Sequence, residues 1–177
     1  AQTLGPADAK VVIVEFFDPG CETCRMFAQP VKDLLAAHPG KVRLVKRYAP
    51  FHQGADEIVQ ILEAARLQGK YWETLEVLFA RQPQWASHHH PRPELVWQFL
   101  PSVGLDLERL RRDMNNPKIL AIVLKAMEKE PARRYASAAD LAADLRACQW
   151  VAANTPRDAL FLNMPRRDDY SILPSLA

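Results

Sequence analysis

Residues 11–24 read Val-Val-Ile-Val-Glu-Phe-Phe-Asp-Pro-Gly-Cys-Glu-Thr-Cys, an apolar run that passes through a Pro-Gly turn into two cysteines two residues apart. Residues 11–14 and 16–17 are β-branched or aromatic, which predicts a strand buried on both faces in a helix-covered sheet. Asp18-Pro19-Gly20 ends it. From Glu22 onward Met26, Phe27, Val31, Leu34 and Leu35 recur at three- and four-residue spacings, predicting a helix with one apolar face. Cys21 then falls just outside the first turn, where unpaired N–H groups and the positive end of the helix dipole favour a thiolate. Cys24, one turn on, is expected to be shielded and to attack a mixed disulfide formed at Cys21.

A C-x-x-C pair also makes half of a zinc site. No second C-x-x-C or C-x-x-H follows, and Cys148 is the remaining cysteine, so dithiol redox chemistry is the expectation and no metal ligands are assigned. Glu15 interrupts the apolar strand. A carboxylate there loses solvation, which raises its pKa and suits it to proton transfer. The competing expectation puts Glu15 at a strand edge with its head in water.

Taken in order, residues 1–10 form a polar lead-in with a turn at Gly5-Pro6 and Asp8, and the first helix runs to about Ala37 before His38-Pro39-Gly40 stops it. Residues 42–48 read as a second strand, with Val, Leu and Val alternating against Arg, Lys and Arg. The resulting β-α-β unit lays its strands parallel and sets the cysteines at the carboxyl end of the first. Residues 54–114 predict helices at 55–67, 71–81, 93–100 and 107–114 and no strand. Trp72, Phe79, Trp85, Trp97 and Phe99 in this block are expected to be mainly core. His88-His89-His90, flanked by proline, predicts a surface loop rather than a metal site. His52 follows the second strand and can approach the dithiol, stabilising a thiolate when protonated; an ordinary loop histidine is the competing reading.

With 177 residues, 49% hydrophobic content and a net charge of +2, the chain suits one domain or one domain with a sizeable insertion. Near-neutral charge argues against a dedicated nucleic-acid surface. No apolar run approaches the roughly 18 residues of a spanning helix. Cysteine usage does not fix the compartment, since one dithiol works in reducing or oxidising surroundings.

Val-Glu-Phe-Phe-Asp-Pro-Gly-Cys-Glu-Thr-Cys, continued by residues 42–48, Ala49-Pro50-Phe51-His52, Gly69-Lys70-Tyr71-Trp72 and Gly104-Leu105-Asp106-Leu107, resembles the DsbA-like branch of the thioredoxin superfamily over residues 4–118. The resemblance implies an α/β, thioredoxin-like fold with an all-helical insertion. Residues 1–50 and 115–177 then form the thioredoxin-like part and residues 51–114 the insertion. It further implies that Cys21 is the nucleophile, Cys24 the resolving cysteine and Glu15 the acid beneath the site. The activity implied is thiol–disulfide exchange with protein or peptide substrates, with no cofactor beyond a Cys21–Cys24 disulfide. A redox-recycling partner protein, a monomeric state and an extracytoplasmic, periplasmic setting go with it, although the cytoplasm stays open. A start at Ala1-Gln2 without Met matches a mature form that has lost a leader, and equally an expression boundary. Two other functions remain open: a redox-inactive binding module that keeps the cysteines, and a soft-metal delivery protein using the dithiol with His52.

From about Ile119 the pattern departs from that family. Residues 120–148 resemble the last two helices of bacterial Ser/Thr protein kinases, without a glycine-rich phosphate loop, catalytic loop or metal-binding triplet, so kinase chemistry is excluded. A helix to Lys129, a break at Pro131 and a second helix to about Trp150 are expected, with Cys148 a buried bystander on its apolar face. Thr155-Pro156 resembles the superfamily's Thr-Pro, where the proline is cis and lies against the dithiol, which makes both residues substrate-contact candidates. Residues 159–163 read as a further strand; the tail from Arg166 carries no final helix, and its apolar patch Tyr170–Leu173 reads as an edge strand or unstructured.

Overall fold

A computed structural model describes residues 2–87 and 89–128. Cys148, Thr155, Pro156, the strand expected at 159–163 and most of the kinase-like stretch lie outside the described residues, as does His88. Among the described residues three strands form one sheet: β1 (Gln2–Leu4), β2 (Val11–Phe17) and β3 (Val42–Tyr48), in the order β1-β3-β2. Helix α1 (Glu22–Ala37) connects β2 to β3, which run parallel with Val11 opposite Val42 and Phe17 opposite Tyr48. Helices α2 (Ala55–Arg66), α3 (Tyr71–Trp85), α4 (Val96–Phe99), α5 (Leu107–Met114) and α6 (Pro117–Met127) follow. Tight 3₁₀ turns at Pro93–Leu95 and Leu100–Val103 flank α4, breaking up the single helix expected there. The architecture is α/β, with a thioredoxin-like sheet and a helical block after it.

The first strand was not expected, because Gln2-Thr3-Leu4 carries no strand periodicity of its own. It forms by antiparallel pairing with β3, Thr3 opposite Val45, and the chain leaves it at Gly5, whose φ is +91°. A side chain at Gly5 would also meet the Val42 carbonyl oxygen at 2.3 Å, so glycine is required on both counts.

Strict alternation along β3 corrects the sequence reading of its faces. Val42, Leu44 and Lys46 point to the buried side, so the lysine lies inward rather than with Arg43 and Arg47. It is tolerated because Glu15, its register partner on β2, meets its ammonium at 2.7 Å. Among the described residues β2 has a neighbour on one side only, and its residues before Phe17 are half-buried rather than enclosed on both faces.

The core sits between this face of the sheet and the helical block. Phe17 and Cys24 join Ile58, Ile61 and Leu62 of α2, Leu75, Leu78 and Phe79 of α3, and Leu100 and Leu110 in one apolar cluster. Full burial of each large aliphatic side chain is worth about 1.5–3 kcal/mol. Glu63, itself buried, ties the layers by accepting from Tyr48 Oη (2.8 Å), Gln2 Nε2 (3.2 Å) and Arg66 Nε (2.7 Å). Of the block's aromatics, Phe79 and Trp85 are buried, while Trp72, Trp97 and Phe99 are partly buried against the cluster. Helix α3 continues past Arg81 and through Pro83, held by buried Gln82 and by Trp85, whose indole N–H donates to Leu78 O at 2.9 Å. The stripe expected to bury α1 is covered only in part: Met26 is 65% exposed and Leu34 41% among the described residues.

Candidate active site

The turn Asp18-Pro19-Gly20 delivers the chain from β2 into α1 with Cys21 at the N-cap. In that position the side chain takes the place of a capping oxygen. The Cys21 sulfur accepts from Cys24 N at 3.4 Å, and the extended Cys21 backbone starts the helix. Cys24 lies one turn in and is buried, while Cys21 is half-buried. Both are free thiols in this structure.

Their acidities move in opposite directions. Cys21 falls from an ordinary 9.0 to about 6, chiefly because the Cys24 thiol donates to its sulfur; burial opposes this, and the Cys24 and Thr23 N–H groups and the His52 charge add to it. Cys24 is pushed well above the usual thiol range. The proton it shares with Cys21 is the main cause, and burial and the charges of Cys21 and Glu15 act in the same direction. The fold therefore presents one ionised sulfur and holds the other protonated behind it.

This asymmetry carries into stability. The unfolded chain holds its Cys21 proton up to about pH 9, whereas the folded one releases it near 6, so between these values the unfolded state binds more protons. The stability of the reduced protein should rise from pH 6 to pH 9 and be lost again as pH falls through 6. Cys24, with its raised pKa, changes the balance only above that window. Urea titrations across it should show the slope in wild type and a flatter line in Cys21→Ser.

Glu15 and Lys46 form a buried pair, their side chains 9% and 5% exposed, with the ammonium also 4.3 Å from the Phe17 ring centre, and the Glu15 charge acts on Cys24. The alternative that put the head of Glu15 in water does not hold, since its side chain is 9% exposed. Grouping Lys46 with Arg43 and Arg47 by charge hides the counter-ion, although strict alternation from Leu44 places it inside.

His52 reaches the site from the loop after β3. Its Nδ1 lies 2.8 Å from Asp18 Oδ2, and its ring packs where a Cβ at Gly20 would stand 3.0 Å from His52 Cβ. Two residues with polar contacts here do not stand out in the sequence. Asp18 reads there only as a strand stop. Gln82 falls beyond the expected end of its helix, yet it is 1% exposed and its Nε2 donates to Pro19 O (2.8 Å) and Cys21 O (2.9 Å), while its Oε1 accepts from Arg25 Nε (3.0 Å). A polar residue on the apolar face of Leu78 and Phe79 was the available signal. Gln82→Leu should cost about 1–3 kcal/mol in urea unfolding by stranding those two carbonyls and the guanidinium, and should raise the mobility of the 19–21 backbone in amide exchange.

A family model described as thioredoxin matches residues 1–137. The chain belongs to the thioredoxin family. Among solved structures, this thioredoxin-family protein is similar to a thioredoxin-like oxidoreductase from Silicibacter pomeroyi DSS-3. The identity is 35% and the TM-score 0.59, over 71% of this chain and 69% of that one. It also matches α-DsbA1 of Wolbachia pipientis, at 16% identity and a TM-score of 0.59, over 69% of this chain and 63% of that one. The oxidoreductase DsbA of Xylella fastidiosa aligns over 84% of this chain and 88% of that one, at 17% identity and a TM-score of 0.55. The last two likenesses establish a DsbA-like fold and nothing finer. Among curated proteins the thioredoxin-family chain is 32% identical over 135 residues to a Na(+)/H(+) antiporter NhaA of Herminiimonas arsenicoxydans, matching 76% of itself and 20% of that protein. It thus spans about a fifth of that relative's length. No helix among the described residues is long and apolar enough to cross a membrane.

Proposed function

We propose that this thioredoxin-family protein is a thiol–disulfide oxidoreductase that exchanges disulfides with protein or peptide substrates through Cys21 and Cys24. The observation that carries the reading is a half-buried sulfur at a helix N-cap, accepting from Cys24 N at 3.4 Å, with a buried second thiol one turn in, an arrangement that drives the two acidities apart. In the reducing direction the Cys21 thiolate attacks a substrate disulfide. A Cys21–substrate S–S bond forms, the substrate S–S bond breaks, and the second substrate sulfur leaves as a thiolate. Cys24 then gives up its proton, with Glu15 as acceptor, and attacks the Cys21 sulfur. The remaining substrate thiolate departs and a Cys21–Cys24 disulfide stays behind. Run in reverse, the same steps oxidise a substrate dithiol, and a Cys21 that ionises readily is a good leaving group for that direction.

Glu15 suits the proton step because its charge acts on Cys24 from a buried position, and Lys46 keeps it there. His52 stands beside the turn on the open side, where its charge favours the Cys21 thiolate. Thr155 and Pro156 remain the expected substrate-strand contacts. No cofactor beyond the dithiol is required by these steps. The likeness to an oxidoreductase at 35% identity supports the reading. The DsbA-like fold supports an extracytoplasmic setting with a separate recycling protein, a thioredoxin-like part at 1–50 and 115–177 and a substrate-facing helical block at 51–114. Insulin reduction and oxidative refolding of a reduced substrate, run on wild type and Cys21→Ser, test it. Activity in wild type alone is expected, and equal inertness of two folded proteins would leave a redox-inactive binding module instead.

A further inference from the structure

We propose that Asp18 is a positioning residue that acts on Cys21 through His52, locking the imidazole over the dithiol turn so that the sulfur faces a cation rather than a bare carboxylate. The significance of this rests on the disulfide-exchange reading, whereas its test does not.

Asp18 is 4% exposed and its carboxylate takes no part in the exchange steps. Its Oδ1 accepts from Gly20 N at 2.7 Å, within the turn. Its Oδ2 accepts from Phe51 N (2.6 Å) and His52 N (2.8 Å) and lies 2.8 Å from His52 Nδ1. Three main-chain donors would suffice to clamp the turn to the loop after β3. The fourth contact fixes the ring: beside a carboxylate Nδ1 carries a proton, whatever the state of the other nitrogen. Asp18's main chain also touches both cysteines, its carbonyl accepting from Cys21 N at 3.1 Å and its N–H donating to the Cys24 sulfur at 3.5 Å. A buried anion this close to a thiolate opposes it unless a cation intervenes.

Among the described residues, the groups around Cys21 assign that task to His52. From α1 come the Cys24 thiol and the N–H groups of Thr23 and Cys24, which favour the thiolate, and Arg25, whose guanidinium is turned to Gln82. From α3 comes the neutral Gln82 amide, on the Cys21 carbonyl. From the loop after β3 comes His52, whose imidazole favours the Cys21 anion when it carries a charge. Gly20 leaves room for its ring, since a methyl group there would press on His52 Cβ at 3.0 Å and Cγ at 3.4 Å.

The test is a double-mutant cycle on the reduced protein, using Asp18→Asn, His52→Ala and both together. The readout is the rate of iodoacetamide modification of Cys21 at pH 5, where the rate follows the thiolate fraction. With His52 present, Asp18→Asn should slow modification about tenfold, the effect of releasing one nearby cation. In the His52→Ala background the same change removes only a neighbouring negative charge and should leave the rate unchanged or increase it. Equal effects in the two backgrounds would overturn the proposal. If Asp18→Asn does not fold, His52→Ala alone decides, because it keeps Asp18's three main-chain hydrogen bonds: about tenfold slower modification is expected, and an unchanged rate overturns the proposal. A wild type that exchanges no disulfides but shows the coupled cycle would remove the functional reading and leave this inference. A flat cycle in an active enzyme would do the reverse.

Discussion

Cys21→Ser should lower the rate of insulin reduction by roughly three orders of magnitude or more, as loss of a covalent nucleophile does, with little change in folding. The two effects separate because of where the residue sits. Cys21 is an N-cap whose sulfur accepts from Cys24 N, and serine is among the preferred residues for that role. The hydroxyl can keep the cap while its high pKa removes the nucleophile. Cys24→Ser should fail differently, since attack by Cys21 survives and resolution does not. A mixed disulfide with substrate should then accumulate at Cys21, visible by intact mass and released by dithiothreitol. Accumulation at Cys24 in the reciprocal variant would reverse the assigned roles.

Lys46→Met should be the most destabilising single change near the site, at about 3–5 kcal/mol in urea unfolding, because it leaves a charge buried without its partner. Among the described residues Glu15 Oε1 has no hydrogen-bond partner, and Oε2 accepts from the ammonium at 2.7 Å. Methionine replaces the lysine stem but neither the charge nor the ammonium's contact with the Phe17 ring. The double variant Glu15→Leu/Lys46→Met should recover most of the loss, since two apolar groups of similar volume need no counter-ion. It should still resolve mixed disulfides slowly, because the proton acceptor for Cys24 is gone. If the single variant is as stable as wild type, Glu15 has access to solvent or another partner and its part in the proton step falls with it.

The parts of the fold written in local chemistry were legible from sequence. A β-branched run ending in Asp-Pro-Gly gives β2 and its stop, and periodic apolar residues after Glu22 give α1, so the cysteines had to meet a helix start. Parallel pairing of β2 and β3 followed from the helix between them. What escaped depends on contacts distant in sequence. Gln2–Leu4 is a strand only because β3 offers it an edge. Lys46 reads as a surface residue because charge usually means solvent, yet Glu15, 31 residues away, holds it inside. Gln82 and Trp85 carry α3 through a proline that local propensity would make a terminus. Asp18 reads as turn punctuation because its partners, Phe51 and His52, lie 33 and 34 residues on. Thr155 and Pro156 rest on resemblance, outside the described residues.

Opposite acidities of the two sulfurs underlie every step assigned to the dithiol, and a site-resolved alkylation profile tests them directly. The reduced protein is pulsed with iodoacetamide from pH 4 to pH 10 and the labelled cysteines are identified by peptide mass. Label should enter at Cys21 with a midpoint near pH 6, while Cys24 stays unmodified throughout. A midpoint near that of an ordinary thiol, or Cys24 labelled ahead of Cys21, would contradict it.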